Sequence, residues 1–257
     1  MNYFNPELIK INESKLLKIE TELKMILRNI IFCRKTSSRK LLDNFISSTN
    51  NLTELLSIKN AQMEAQNEDE AQLYLKNLKR TTLYVISEIK KGIMFDSPMQ
   101  LFQLFRLIAP ESHQLHPNRF RDKLVQVGSH ICPEPSMVMG LVNNLFENMK
   151  VISNPIIRAI YFHHELIRIH PFIDGNGRIT RMAKNWMLMF ELYPPIFISN
   201  EIEKKNYVES LSNSFNAISK NENNWNKETS VFFEQELDRL LTSILYVKEN
   251  LNSIKNE

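Results

Sequence analysis

Glycine is scarce in this chain: five in 257 residues, of which Gly175 and Gly177 stand one residue apart. There is no internal repeat and no low-complexity tract beyond a bias towards asparagine. Cysteine is scarcer still. Cys33 and Cys132 lie far apart without metal-ligand spacing, which excludes a disulfide scaffold and leaves free thiols in a reducing compartment as the expectation. Proline is absent between Pro6 and Pro98, and that stretch has one glycine, Gly92, so it can be helical almost throughout. No apolar run approaches the length of a membrane span, and Met1 to Pro6 carries no signal-peptide pattern. A cytoplasmic location is expected, with no membrane partner. Excess charge is missing as well. A formal net charge of +3 is too small to argue for nucleic acid.

What is present is an ordinary soluble composition, 43% hydrophobic and 24% charged, in a chain long enough for a substantial core. Leu16, Ile19, Leu23, either Ile26 or Leu27, and Ile30 form a helical stripe with Lys and Glu opposite. Thr36, Ser37 and Ser38 are expected to end it, and a shorter helix is expected from about Lys40 to Ser57. Glu64 to Glu70 reads as a solvated helix start or linker. Leu75, Leu78, either Val85 or Ile86, and Ile89 continue a stripe up to Gly92. Pro98 opens another helix that ends before Pro110. Phe120 to Ile131 is the one stretch that reads as extended: Val125 and Val127 alternate with Gln126, and Gly128 can bend the chain into a short hairpin. Further helices are expected from Ser136 to Met149, from Asn200 with a capping box to Glu203, and from Thr229. The fold class that follows is all-α with one small hairpin.

The chain is organised around His170 to Arg181. Asn154 and Pro155 read as an N-cap and a first-turn proline, and Ile156, Ile160, His163 and Ile167 recur at helical spacing towards His170. Met182, Trp186 and Phe190 recur every four residues, so a second helix begins near Gly177. The loop between the two helices offers N–H groups without intrahelical acceptors. Its glycines let an anion approach them, and the helix dipole favours negative charge there. Arg178 and Arg181, three apart, add two forked cations. Asp174 can hold Mg²⁺ through oxygen, and His170 can accept a proton at neutral pH. Phosphates, a metal and a base suit this set of groups.

His170, Pro171, Phe172, Asp174, Gly175, Asn176, Gly177, Arg178 and Arg181 fill every fixed position of the Fic motif, and the chain resembles the Fic-domain family over roughly Pro98 to Leu245. Phe120, Arg121, Val127, Gly128 and His130 are similar to that family's flap. The resemblance implies residues 1–94 as an N-terminal helical region and 95–250 as the Fic domain. It also implies transfer of AMP from ATP to a Tyr, Thr or Ser hydroxyl of a target protein. On that reading His170 is the general base and Asp174 holds Mg²⁺ between the α- and β-phosphates. Gly175, Asn176 and Gly177 line the anion hole, Arg178 takes the β-phosphate and Arg181 the γ-phosphate. Val127, Gly128, Ser129 and His130 lie along the nucleotide and align the target segment by strand pairing, and Tyr207 is a candidate adenine contact.

Other readings stand beside these. His163, His164 and Glu165 suggest zinc, but a His would be needed where Arg168 stands, so helix packing is the better expectation. Trp186 and Met182, Met187 and Met189 read as core. The family's inhibitory helix carries Ser/Thr, three residues, Glu, then Gly/Asn, and its glutamate pairs with the second motif arginine. No such string occurs here. The expectation is therefore a constitutively active enzyme, or one restrained by a separate antitoxin-like chain, with homo-oligomers as a family habit. Arg181 is expected to be a surface contact whose loss spares the fold. Other Fic-type reactions remain open: UMP transfer, AMP removal or phosphorylation, the last opposed by Gly177. So does a nucleotide-binding interaction module, which would have no need of His170.

Overall fold

The computed structural model describes residues 5–33, 40–220 and 225–253. The expected break at Thr36 to Ser38 lies outside the described residues, as does the side chain of Cys33. Among the described residues the fold is helical, with one two-stranded hairpin. A short 3-10 turn (Pro6–Leu8) is followed by α1 (Glu13–Cys33), α2 (Leu41–Ser48), α3 (Asn50–Glu64) and α4 (Glu68–Lys90). Next come α5 (Pro98–Ile108) and the short α6 (Pro110–Leu115), then strands β1 (Gln126–Val127) and β2 (His130–Ile131). α7 (Pro135–Lys150), α8 (Pro155–Ile169), α9 (Asn176–Phe190), α10 (Glu201–Lys220) and α11 (Lys227–Ser253) complete the chain.

The helix stripe of α1 is buried as its spacing predicts: Ile19, Leu23, Ile26 and Ile30 all face the core. The single helix expected from Lys40 to Ser57 is two helices, and the second runs on to Glu64. The break falls where Ser48 and Thr49 turn their hydroxyls back onto the Asn44 and Ile46 carbonyls, at 2.7 and 3.0 Å, in competition with the helix ladder. α4 is capped by the Asn67 side chain, which accepts from Glu70 N at 2.9 Å, and three acidic residues occupy its positive first turn. α5 opens on a full capping box between Ser97 and Gln100. The hairpin pairs Gln126 with Ile131 and Val127 with His130.

One hydrophobic core runs from Ile19 in α1 to Val247 in α11, so the first four helices share it with the rest. α8 packs on α9, α3 on α4, α4 on α9, and α11 on both α1 and α10. Trp186 on α9 sits at the centre, fully buried, with Phe95 at 5.4 Å and Tyr84 at 5.9 Å, and its indole donates to the Ile93 carbonyl at 3.1 Å. The buried Lys184 pairs with Glu236, which also accepts from Arg239 at 2.7 Å, and Arg239 reaches Glu203 at 2.8 Å. That network fixes α9, α10 and α11 to one another, and with them the floor of the motif loop.

Candidate active site

α8 delivers the motif loop and α9 receives it. Asn154 caps α8 by accepting from Ile156 N and Ile157 N at 3.0 and 3.1 Å, with Pro155 in the first turn. At the other end His170 occupies the left-handed region, φ 52°, and closes the helix through its N–H to the Leu166 carbonyl. A side chain held there costs on the order of 1–3 kcal/mol and persists where the surroundings impose it. They do: Phe172 stacks on Phe105 at 4.5 Å and meets Phe120 at 5.5 Å. The Asn176 amide clamps the loop, accepting from Phe172 N at 2.9 Å and donating to its carbonyl at 2.8 Å. Gly175, φ 76°, turns the chain into α9, where a Cβ would lie 3.2 Å from that of Ala109.

These residues surround one cavity of about 360 Å³. His170, Asp174, Gly175, Asn176, Gly177 and Arg181 line it, together with Val127 and Gly128 from the hairpin and Tyr207 from α10. The rest of the wall is largely apolar: Ile167, Ile173, Val208, Leu211 and Phe215. Three expected contacts are placed differently. Arg178 is buried beside the cavity, its guanidinium 3.5 Å over the Tyr74 ring. Ser129 shares hydrogen bonds with Asn216 on α10, at 3.0 and 3.2 Å. His130 is turned inward, its Nε2 at 3.0 Å from the Arg168 carbonyl and its ring on Phe215, so its imidazole braces the hairpin instead of facing the cleft. Tyr207 lines the cavity with its ring, but its hydroxyl points inward to His163 Nε2 at 2.9 Å.

The His163–His164–Glu165 run is core packing. His164 meets Ser214 Oγ at 2.8 Å, Glu165 binds Arg168, and all four side chains are buried. No group of three metal-ligating side chains occurs among the described residues. Asp174 is a half-exposed carboxylate at the cavity mouth, 3.4 Å from Arg178. One carboxylate fits a hard cation that arrives with phosphates and keeps most of its water, as Mg²⁺ does, and does not make a self-sufficient metal cage.

The largest departure from expectation is Glu64, at the C-terminal end of α3. Instead of lying in a solvated run, it reaches over the start of α9. Its Oε1 accepts from Arg181 Nη2 at 2.6 Å and its Oε2 from Arg178 Nε at 3.0 Å. Asn60, one turn earlier, accepts from Arg181 Nε at 2.9 Å. An intramolecular glutamate therefore does meet the second motif arginine, which overturns the expectation that none would. The family string, with Ser or Thr in the first place and Gly or Asn after the glutamate, does not cover it. Asn60 and Ala65 stand there, and an asparagine amide accepts from a guanidinium as well as a hydroxyl does. Arg181, expected at the surface, is buried by the same contacts. Burial alone would raise the Glu64 carboxyl, but Arg181 and Arg178 outweigh it and hold its pKa below the usual carboxylate value. Burial, aided by the nearby Arg121, pushes His170 down to about 4, so its imidazole is neutral at physiological pH.

Residues 97–188 match the model of the Fic/DOC family. The chain carries a Fic domain. The protein adenylyltransferase Fic of Drosophila persimilis is 36% identical over 112 residues, 42% of this chain and 22% of that protein. The match thus spans about a fifth of the relative's length. Over the whole fold, a Fic-domain signalling protein from Bacteroides thetaiotaomicron superposes with a TM-score of 0.62 at 17% identity, covering 90% of this chain and 98% of that one. IbpAFic2, solved covalently tethered to Cdc42, superposes with a TM-score of 0.54 at 15% identity, covering 88% and 70%. The matched stretch begins at Ser97, the N-cap of α5, and the helices before it bring Glu64 to the start of α9.

Proposed function

We propose that this protein transfers AMP from ATP to a hydroxyl of a target protein and that Glu64 holds it in an inactive state. The observation that carries this reading is the Glu64 carboxylate seated on α9, bound by both motif arginines. A carboxylate held by Arg178 and Arg181 supports the reading of this place as an anion site, and it occupies the position the terminal phosphates would take. A triphosphate binds productively once Glu64 withdraws. Arg178 and Arg181 then hold the β- and γ-phosphates, and the N–H groups at Gly175, Asn176 and Gly177 face the α-phosphate oxygens where charge develops. Mg²⁺, held by Asp174 and the phosphates, would supply charge neutralisation. The apolar wall of Ile173, Val208 and Leu211 suits a flat base. His170 accepts the proton of the attacking hydroxyl as its oxygen bonds to the α-phosphorus and the bond to the β-phosphate breaks, releasing pyrophosphate, and the phosphates beside His170 raise its proton affinity towards the value such a base needs. The hairpin edge, with Ile131 exposed, offers strand pairing to the target. The named activity of the Drosophila relative and the tethered partner of IbpAFic2 support a nucleotidyl transfer with a protein acceptor.

The test is incubation with ATP labelled at the α-phosphate. Label should appear on protein with Glu64→Gly and disappear with Glu64→Gly/His170→Ala. No label on protein from either the parent chain or Glu64→Gly, with a candidate target supplied, would refute the proposal, and label carried only from the γ-phosphate would reassign the reaction to phosphorylation.

A further inference from the structure

Arg121 has no place in the chemistry above, yet its side chain is 2% exposed and lies behind the catalytic turn. All four of its side-chain acceptors are main-chain carbonyls. Nε donates to His170 O at 2.8 Å and Nη2 to Ile169 O at 3.3 Å. On the other side Nη1 donates to Lys123 O at 2.7 Å and Nη2 to Pro133 O at 2.6 Å. Its own N–H adds a bond to Pro171 O at 2.8 Å. One fork therefore spans two segments remote in sequence: the turn carrying His170, and both strand ends at the base of the hairpin. Phe120 beside it makes the same link in apolar terms, touching Phe172 of the loop.

A buried guanidinium hydrogen-bonded to carbonyls alone is a costly way to stabilise a fold, since no carboxylate bonds to it and burial outweighs the attraction of the nearby Glu134. What it supplies is geometry. The planar fork has five donors in fixed directions, and the segments that use them must keep their spacing. From this we infer that Arg121 is a positioning residue that makes the hairpin base and the His170 turn move as one body. Target docking on the hairpin and placement of the base are then linked through a side chain that touches neither nucleotide nor target. The mechanical part of this stands on geometry alone; its consequence for transfer rests on the function proposed above.

Hydrogen exchange on the full chain tests it. In the parent protein, the amides of residues 124–132 and those of His170 and Phe172 should open at one common rate. Arg121→Lys keeps the charge and loses the fork. It should speed exchange in the hairpin by about tenfold or more and separate the two rates, leaving α8 and α9 unchanged. Transfer at saturating ATP should fall by at least about tenfold, with the KM for ATP within about twofold, because neither motif arginine touches Arg121. Exchange unchanged in both segments, or faster uniformly through every helix, would overturn the inference. Should the variant not fold, the parent protein decides: two different rates for the two segments overturn the coupling, and one rate supports it. A parent chain and Glu64→Gly variant without transfer activity would sink the proposed function and leave the exchange result to judge Arg121.

Discussion

The carboxylate of Glu64 rests against Gly177 so closely that a Cβ on that glycine would lie 2.2 Å from Oε1. Gly177 is not in a left-handed conformation; it is needed for the space it leaves. The same space that would let a phosphate approach the start of α9 lets the carboxylate in, so under the proposed function carboxylate and nucleotide would compete for one position.

Glu64→Gly should therefore raise AMP transfer by at least about tenfold, if the latch is worth the 1.4 kcal/mol or more that this corresponds to. It should also lower stability, by about 2–4 kcal/mol, because Arg178 and Arg181 stay buried without their counter-charge. The two effects should meet in one measurement. ATP should raise the melting temperature of the variant more than that of the parent chain, since the phosphates replace the missing charge. An equal shift in both would show that Glu64 does not compete with the nucleotide.

Removal of the N-terminal helices is a poor substitute for that variant. Trp186 donates to the Ile93 carbonyl and packs against Tyr84, so a chain starting near Asp96 loses a wall of its core along with Glu64. A double-mutant cycle is cleaner. Arg181→Ala, Glu64→Ala and the pair should give a coupling of about 1–3 kcal/mol in urea unfolding. Arg181→Ala alone should be destabilising, against the surface role first expected of it. Additive effects would mean the contact contributes nothing to folding.

Tyr207→Phe separates two roles for α10. If the ring faces the base and the hydroxyl serves His163, as the geometry has it, the variant should lose about 1–3 kcal/mol of stability by leaving a buried imidazole nitrogen unpaired. Its affinity for ATP should change by less than about threefold, because the face lining the cavity is kept. Isothermal titration and chemical unfolding measure the two. A large loss of ATP affinity at unchanged stability would return the hydroxyl to the nucleotide.

Much of this arrangement was legible in the sequence because it is local. Asn154, Pro155, Gly175 and the spacing from Met182 to Phe190 specify helix, turn and helix within the motif, and the loop residues meet around one cavity as their order implies. The alternation at Val125 to Val127 with a bend at Gly128 gave the hairpin. What could not be read was set by distance along the chain. Glu64 and Arg181 are 117 residues apart, and an acidic residue in a polar run carries no mark of the partner it will meet. Arg121 is similar: its acceptors are carbonyls, which every residue has. The family resemblance implies a place along the nucleotide for His130, but strand alternation puts it on the inner face, against Phe215.

The histidines supply the last prediction. Burial lowers His163, His164, His130 and His170, the last to about 4, so all four are neutral in the folded chain at neutral pH. In the unfolded chain each returns to about 6.5. Between those values the unfolded state binds more protons, and stability must fall as the pH is lowered from about 7 through 6.5 and on towards the depressed folded values. Glu64, Glu165 and Glu236 are held low instead, and their stabilising share is lost as the pH falls from the ordinary carboxylate value towards their depressed ones. The urea midpoint should therefore drop measurably between pH 7.5 and pH 5, before any carboxylate contributes. Calorimetry at pH 5.5 should register proton uptake on unfolding of about two or more per molecule. A midpoint that is flat over that interval would mean the buried imidazoles carry charge in the folded protein, and with it His170 would lose its standing as a neutral base.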